Sequence, residues 1–380
     1  MLPKNEIEQY VKMLRTTQIV HDSEAPKKEN KKSVISIFKP LFFIFKSVVD
    51  FLLLKLLLLF PKYRNKKIVY TSARFTTSSN GIVEDRIVKP LFVDNILFIN
   101  QSKEIWINKI NNQKVYNVGG IAKIISFFSK EPSSLMQNFY AYQLVNKWIL
   151  NSFISKEIYF LVHYDLGNLA IIFSNYRHKL KLIEIQHGGI INYFPYINPA
   201  PIKMIDLFYV KNKPTIDYLN NHLCKDFNSE YKLLPYPNSQ KKYTEGKHIL
   251  YASTVEFNGI HPVFLEFLKT NEVKNLNLYI RLHPREKDKI ELFKKQLENV
   301  KANIVFDESK NWLESNTIKN LIVVSPWSSV IEDAADNGFK TIILEPFGKE
   351  RFGYLIDDQQ VFFTPNIEIF KVKLNFLFNL

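Results

Sequence analysis

Residues 321–346 read LIVVSPWSSVIEDAADNGFKTIILEP, and the fold depends on how this stretch is parsed. Leu321–Val324 is a four-residue apolar run that opens into the polar turn Ser325–Ser328. A helical pattern follows from Ser329 to Asp336 and is stopped by Asn337-Gly338, and a second apolar run, Thr341–Leu344, closes at Pro346. Short apolar runs bounded by turn signals suit strands buried on both faces, as in a parallel sheet. Ligands of open α/β sheets bind outside the carboxyl ends of the strands, which here means the turn between strand and helix. Ser328 or Ser329 is suited to cap that helix, and the backbone N–H groups there, with the helix dipole, suit an anion.

Outward from this stretch the same alternation continues. Upstream lie the strand patterns His248–Thr254, Leu276–Pro284 and Asn303–Asp307, with helical patterns near Pro262–Thr270, Lys287–Asn299 and Asn311. Residues 225–247 are polar, carry two prolines and read as a linker. Before them, strand patterns at Lys67–Ser72, Ile96–Asn100, Glu104–Asn108, Glu157–Asp165, Lys181–Gly189 and Asp206–Asn212 alternate with helical ones at 121–129, 135–150 and 166–176. The expected architecture is α/β: a Rossmann-like domain at 67–224, the linker 225–247, and a second Rossmann-like domain at 248–380. Carboxyl ends of strands turned toward a central cleft would give each domain one ligand.

Composition narrows the classes. A chain of 380 residues, 46% hydrophobic, is globular and long enough for two cores. The single cysteine, Cys224, excludes an intrachain disulfide framework and a cysteine-rich zinc site. Residues 1–33 are polar and charged, so no secretory leader is expected. The formal charge of +14 is local: residues 25–67 hold eleven Lys/Arg against Glu29 and Asp50. Within them, Leu41–Phe60 (LFFIFKSVVDFLLLKLLLLF) is long enough to span a bilayer, but Lys46, Asp50 and Lys55 oppose a span. Lys46 and Asp50 share one helical face and Lys55 lies opposite, where it would have to snorkel. Residues 1–66 are therefore expected to be a basic, helical segment that touches an anionic membrane surface through residues 34–67. The basic run is interleaved with leucines rather than stacking aromatics, so no nucleic-acid partner is expected.

The remaining chemistry lies at strand ends. His283-Pro284 follows the strand pattern from Leu276, with Arg281 and Arg285 beside it, and a histidine donates to phosphate oxygen without lysine's full charge. Ser253-Thr254 ends the first strand of the second half. Gln186-His187-Gly188-Gly189 ends a strand of the first half, and its glycines let a ligand approach the backbone. Glu84-Asp85-Arg86 lies beyond the first strand and offers a general base, as does Asp165 or His187. The P-loop, dinucleotide-binding, nucleophile-elbow and zincin motifs are absent, as is Asp-x-Asp, so no metal or cofactor is expected.

His283-Pro284 in LHPRE and Ser328-Ser329 in SPWSSVIED resemble the donor-domain motifs of GT-B glycosyltransferases. The resemblance is to the bacterial sialyltransferase-type group that uses CMP-sugars, and it covers residues 248–346. Gln186-His187-Gly188 is similar to the QHG of capsule and surface-polysaccharide transferases, and the His-Pro and Ser-Ser features are shared with glycerophosphotransferases that use CDP-glycerol. The resemblance implies a metal-independent GT-B enzyme that moves a sugar, first of all sialic acid or a related acidic sugar, onto a bacterial surface glycan such as lipooligosaccharide or capsule. It implies donor contacts from His283, Pro284, Ser328 and Ser329; Ser253, Thr254, Arg281, Arg285, Ser325 and Glu332 are expected beside them from their place at the same strand ends and helix start, and Gln186, Gly188 and Asp165 are expected on the acceptor side. The family's acceptor-side motif is two acidic residues followed by glycine. Here Glu84-Asp85 is followed by arginine, so Asp85, Glu84, Asp165 and His187 all stay open as the base. UDP- or GDP-sugar transfer, glycerophosphate transfer and a non-catalytic assembly scaffold are the alternatives. The expected place is the inner face of the cytoplasmic membrane.

Overall fold

The computed structural model describes residues 4–13, 35–71, 82–83, 91, 95–102, 106–110, 112–131, 133–186, 188–191, 196, 199–225, 229–234, 242–309, 318–356 and 360–379. The chain divides into two compact units, Met1–His187 with Phe194–Pro235, and Gly188–Tyr193 with Tyr236–Leu380.

The first unit holds strands β1 (Lys67–Thr71), β2 (Ile82–Val83), β3 (Ile96–Asn100), β4 (Lys109–Ile110), β5 (Gln113–Asn117), β6 (Glu157–Phe160), β7 (Lys181–Ile185), β8 (Leu207–Val210) and β9 (Glu230–Leu233). Its helices are α1 (residues 4–13), α2 (Ile35–Leu57), α3 (Pro61–Arg64), α4 (Gly119–Phe127), α5 (Ser134–Leu150), α6 (Leu166–Ile172), α7 (Pro199–Ile202) and α8 (Lys213–Tyr218). The strand order is β2-β4-β5-β3-β1-β6-β7-β8-β9. All pairs are parallel except the β4–β5 hairpin. Val69, Phe98, Tyr159 and Ile183 pack together on one face. Helix ends are set by side chains: Ser133 accepts the Met136 N–H at the start of α5, and Asn212 accepts the Thr215 N–H at the start of α8.

The second unit has six parallel strands, β10 (Lys247–Ala252), β11 (Leu276–Arg281), β12 (Asn303–Phe306), β13 (Leu321–Ser325), β14 (Lys340–Ile343) and β15 (Val361–Phe363). Their order is β12-β11-β10-β13-β14-β15. Helices α9 (Pro262–Leu268), α10 (Ile290–Leu297), α11 (Val330–Asp336), α12 (Pro346–Phe352) and α13 (Ile367–Phe378) connect and cover them. The unbroken apolar run of β13 has a direct cause: both of its faces are buried. Ile322 and Val324 join Tyr251, Phe264 and Phe370 on one side, and Leu321 and Val323 join Leu250, Ala334 and Phe339 on the other. Helix α11 ends as its Asn-Gly pair dictates. Gly338 takes φ +74°, which lets its N–H reach Ala335 O and the Phe339 N–H reach Ala334 O.

In each unit the strand order reverses beside the first strand of its central parallel set, between β1 and β6 and between β10 and β13. These are the topological switch points at which such sheets bind ligands. The α/β Rossmann-like character expected of both halves is present in both.

Three local expectations change. The stretch 225–247 is not wholly a linker, because Glu230–Leu233 forms β9 and pairs parallel with β8. In the Glu104–Asn108 pattern, the described residues 106–108 are not a strand. There the Asn117 side chain takes the Ile107 N–H (3.0 Å) and donates to Ile107 O (2.9 Å), so one asparagine replaces a ladder partner. The helix expected near Asn311 lies outside the described residues.

Candidate functional site

The switch point of the second unit is built from the carboxyl ends of β10, β11 and β13. Two buried serines brace it. The Ser253 hydroxyl donates to Glu286 Oε2 at 2.6 Å and accepts the His283 N–H at 2.8 Å. Ser325 ties β13 to β10 in the same way: its hydroxyl donates to Ala252 O at 2.7 Å and accepts the Ser328 N–H at 3.1 Å. In both cases the hydroxyl proton is directed into the protein, so these serines shape the turns that carry the outward-facing groups.

His283 begins the turn Pro284–Lys289, and its Nδ1 accepts the Arg285 N–H at 3.2 Å. The proton of the neutral ring therefore sits on Nε2. Burial, and then the Arg285 charge, push the His283 pKa down to about 4, so the ring is neutral at pH 7. The result is a fixed, uncharged N–H donor at a strand end. Beneath it, Glu286 is fully buried. Burial raises its pKa to about 7, assisted by the Glu256 charge and opposed by the Ser253 hydrogen bond and the Lys289 ammonium, 4.0 Å away. Among the described residues, Glu286 Oε1 and the buried Thr254 hydroxyl have no hydrogen-bond partner.

The other donor-side candidates divide. Ser328 accepts the Val330 N–H at 3.3 Å. Ser329 stands at the N-cap of α11 without a side-chain capping bond. Glu332, in the first turn of α11, is fully buried and accepts from the Tyr354 hydroxyl at 2.6 Å. Arg281 turns toward β12, donating to Asp307 Oδ2 at 2.8 Å and Ser309 O at 3.0 Å, while Pro284 and Arg285 are exposed. A pair that the motifs did not signal spans the same edge: His261 Nε2 lies 2.6 Å from Glu345 Oε1, which follows β14.

In the first unit, Asp165 is the N-cap residue of α6 but makes no side-chain capping bond. Gln186 is buried, and its Oε1 accepts the Lys211 N–H at 2.7 Å, which joins the ends of β7 and β8. Gly188, which belongs to the second unit, lies at a bend after β7. Glu84, Asp85 and His187 lie outside the described residues. Sequence reasoning missed a fully buried cluster here. Glu184 on β7 lies 3.1 Å from His163 Nδ1 and accepts from the Tyr196 hydroxyl at 2.5 Å. Both side chains are 0% exposed, so in this conformation the pair orders the loop after β6 at the switch point. Among the described residues no group of three or more His, Cys, Asp or Glu side chains is arranged to hold a metal.

No protein-family model matches the chain, and no curated protein matches it by sequence. Solved structures do match. One is a Listeria monocytogenes structure provisionally described as a UDP-N-acetylglucosamine 2-epimerase, with a TM-score of 0.51 and 10% identity over 83% of this chain and 88% of that one. Others are MurG of Acinetobacter baumannii (TM-score 0.46, 12% identity, 83% and 90% covered) and a glycosyltransferase from Rickettsia africae (0.47, 12%, 83% and 88%). The fold is GT-B-like, with two Rossmann-like units. At these identities the similarity establishes architecture, and chemistry has to be argued from the site.

Proposed function

We propose that the protein is a glycosyltransferase that binds a nucleotide-activated sugar on its second unit and transfers the sugar to a cell-surface glycan. The observation that carries this reading is His283. It is a neutral imidazole with its proton on Nε2, held at the strand-order reversal by Ser253 and by the Arg285 N–H. A fixed donor in a partly desolvated turn stabilises a departing phosphate without reorganising. The Thr254 hydroxyl, without a hydrogen-bond partner among the described residues, and the Ser328-Ser329 turn are the companion phosphate contacts in this reading.

Transfer is direct. An acceptor hydroxyl oxygen bonds to the anomeric carbon as the bond from that carbon to the phosphate oxygen breaks. The nucleotide leaves with the electron pair, and the acceptor proton passes to a base in the first unit. Asp85, Glu84, Asp165 and His187 are the candidates for that base. No metal takes part in this scheme.

The His-Pro and Ser-Ser motifs favour a cytidine nucleotide, with a CMP-linked acidic sugar as the first candidate donor. A UDP- or GDP-sugar, or CDP-glycerol, would use the same phosphate contacts. The acceptor would be a lipooligosaccharide- or capsule-type glycan at the inner face of the cytoplasmic membrane, where residues 34–67 hold the enzyme.

A thermal-shift screen against CMP, CDP, UDP and GDP tests the reading. A nucleotide at one hundred times its Kd stabilises the fold by about 2.7 kcal/mol. A shift with CMP or CDP alone, lost in His283→Ala, is the expected result. A shift with UDP or GDP overturns the cytidine donor, and no shift with any nucleotide overturns the enzyme in favour of a scaffold.

A further inference from the structure

Helix α2 packs against the first unit the opposite way round from an ordinary surface helix. Its buried stripe is Ser47, Asp50 and Leu54, continued by Leu58 in the turn that follows, and its exposed stripe is Phe45, Val49, Leu52 and Leu56. The spacing of three and four residues makes each set one face of the helix. Every polar or charged side chain between Leu41 and Leu57 is tied to the protein body. Ser47 Oγ accepts the Gly120 N–H at 3.2 Å. Asp50 accepts the Asn117 N–H at 3.0 Å and its side-chain N–H at 3.1 Å, and lies 3.3 Å from the Lys114 ammonium. Lys46 lies over the rings of Phe42 and Trp106, at 4.5 and 4.9 Å. Lys55 does not interrupt the apolar face, because it bends to α5, donating to Trp148 O at 2.9 Å and Ser152 Oγ at 2.7 Å.

Apolar surface of this extent is a docking site or an aggregation hazard. The apolar face continues beyond α2. Phe127 and Phe128, at the end of α4, are each 83% exposed. With Ile44, Ile124 and Lys123 they line a cleft beside α2. The sequence that carries this face is basic. Residues 25–67 carry eleven Lys/Arg against two acids, and one of those acids, Asp50, is buried against Asn117. Among the described residues no helix is long and apolar enough to cross a membrane.

We propose that the outward face of α2, together with Phe127 and Phe128, is a docking surface for an anionic lipid bilayer. The apolar stripe enters the interfacial layer, and the flanking lysines and arginines meet the phosphate headgroups. Two insertion points, one on α2 and one at the end of α4, fix the first unit in one orientation on the bilayer. The inference deepens the membrane-surface reading above and is independent of which nucleotide binds.

The full-length protein is mixed with sedimentable vesicles of phosphatidylcholine alone or with one third phosphatidylglycerol. The expected result is at least about tenfold stronger partition to the anionic vesicles, weakened by half-molar salt. Phe127→Glu with Phe128→Glu, and separately Leu52→Glu with Leu56→Glu, should each lower it about tenfold or more with thermal unfolding unchanged. Undiminished partition in both folded variants overturns the proposal. So does a protein that ignores both vesicles but self-associates in light scattering through a contact these variants abolish, since a second copy then covers the face. The nucleotide thermal shift, measured on the same variants, separates this result from the fate of the donor reading.

Discussion

Replacing Glu286 by glutamine isolates the least comfortable group in the molecule. Its carboxyl is fully buried, accepts the Ser253 hydroxyl at Oε2, and has no hydrogen-bond partner for Oε1 among the described residues, the Lys289 ammonium lying 4.0 Å from that oxygen. Burial moves its pKa from 4.5 to about 7. A raised acid favours the folded state in its protonated form. Its contribution to stability is therefore fully present below pH 4.5 and is lost as pH rises through 7. Each tenfold difference in proton affinity between the folded and unfolded chain corresponds to about 1.4 kcal/mol. Ionisation thus destabilises the wild type by roughly 0.2 kcal/mol at pH 4 and by about 3 kcal/mol at pH 8, as an upper limit. Glutamine accepts the Ser253 hydroxyl in the same place and does not titrate. Its uncharged N–H₂ group adds a constant offset, so the informative quantity is the slope. Urea unfolding of wild type and Glu286→Gln from pH 4.5 to 8 should show the variant gaining up to about 3 kcal/mol on the wild type across that range, most steeply between pH 5 and 7. A stability difference that is flat with pH would refute the raised pKa, and with it the picture of a desolvated carboxyl beneath His283.

Other expectations follow from the same geometry. Ser253→Ala removes the hydroxyl that donates to the Glu286 carboxyl and accepts the His283 N–H, and should cost about 2–3 kcal/mol of stability at pH 8, less at pH 5, by denaturant titration. Because burial holds the His283 pKa near 4, any pH step in nucleotide affinity near 6.5 should persist in His283→Gln; a step that this variant removes would mean that the ring charges on binding. Asp50→Ala removes the side-chain acceptor of the Asn117 backbone N–H and one of the acceptors of its side-chain amide, and should destabilise the first unit by about 2–3 kcal/mol, with faster proteolysis of α2 as the readout.

The parallel sheets were legible because strands buried on both faces must be apolar throughout: β13 and β14 were placed to within a residue by Leu321–Val324 and Thr341–Leu344. β9 was not legible. It is an edge strand with Glu230 and Lys232 among its four residues, and its pairing with β8 across residues 211–229 leaves no local trace. The turn chemistry at His283 was readable from His-Pro after a strand. Glu286, three residues on, carries no mark of its own, because nothing in LHPRE signals that Ser253, 33 positions away, draws it inward. His163 and Glu184 escaped for the same reason, being partners only through the adjacency of β6 and β7. Helix α2 was recognisable, but which face it turns outward depends on Asn117 and Trp148, residues far along the chain.

The division of the chain into units bears on its synthesis. Gly188–Tyr193 belongs with the second unit, and the chain then returns to the first before crossing over for good at residues 235 and 236. A side chain at Gly189 would meet Arg351 and Phe352, so the neighbours of this short insertion are made well after it. At about 5–20 residues per second, a ribosome needs roughly ten to thirty seconds to travel from Tyr193 to Arg351. During that interval the first unit can close its sheet through β9, while Gly188–Tyr193 waits for its later neighbours in a nascent chain that already displays the apolar face of α2.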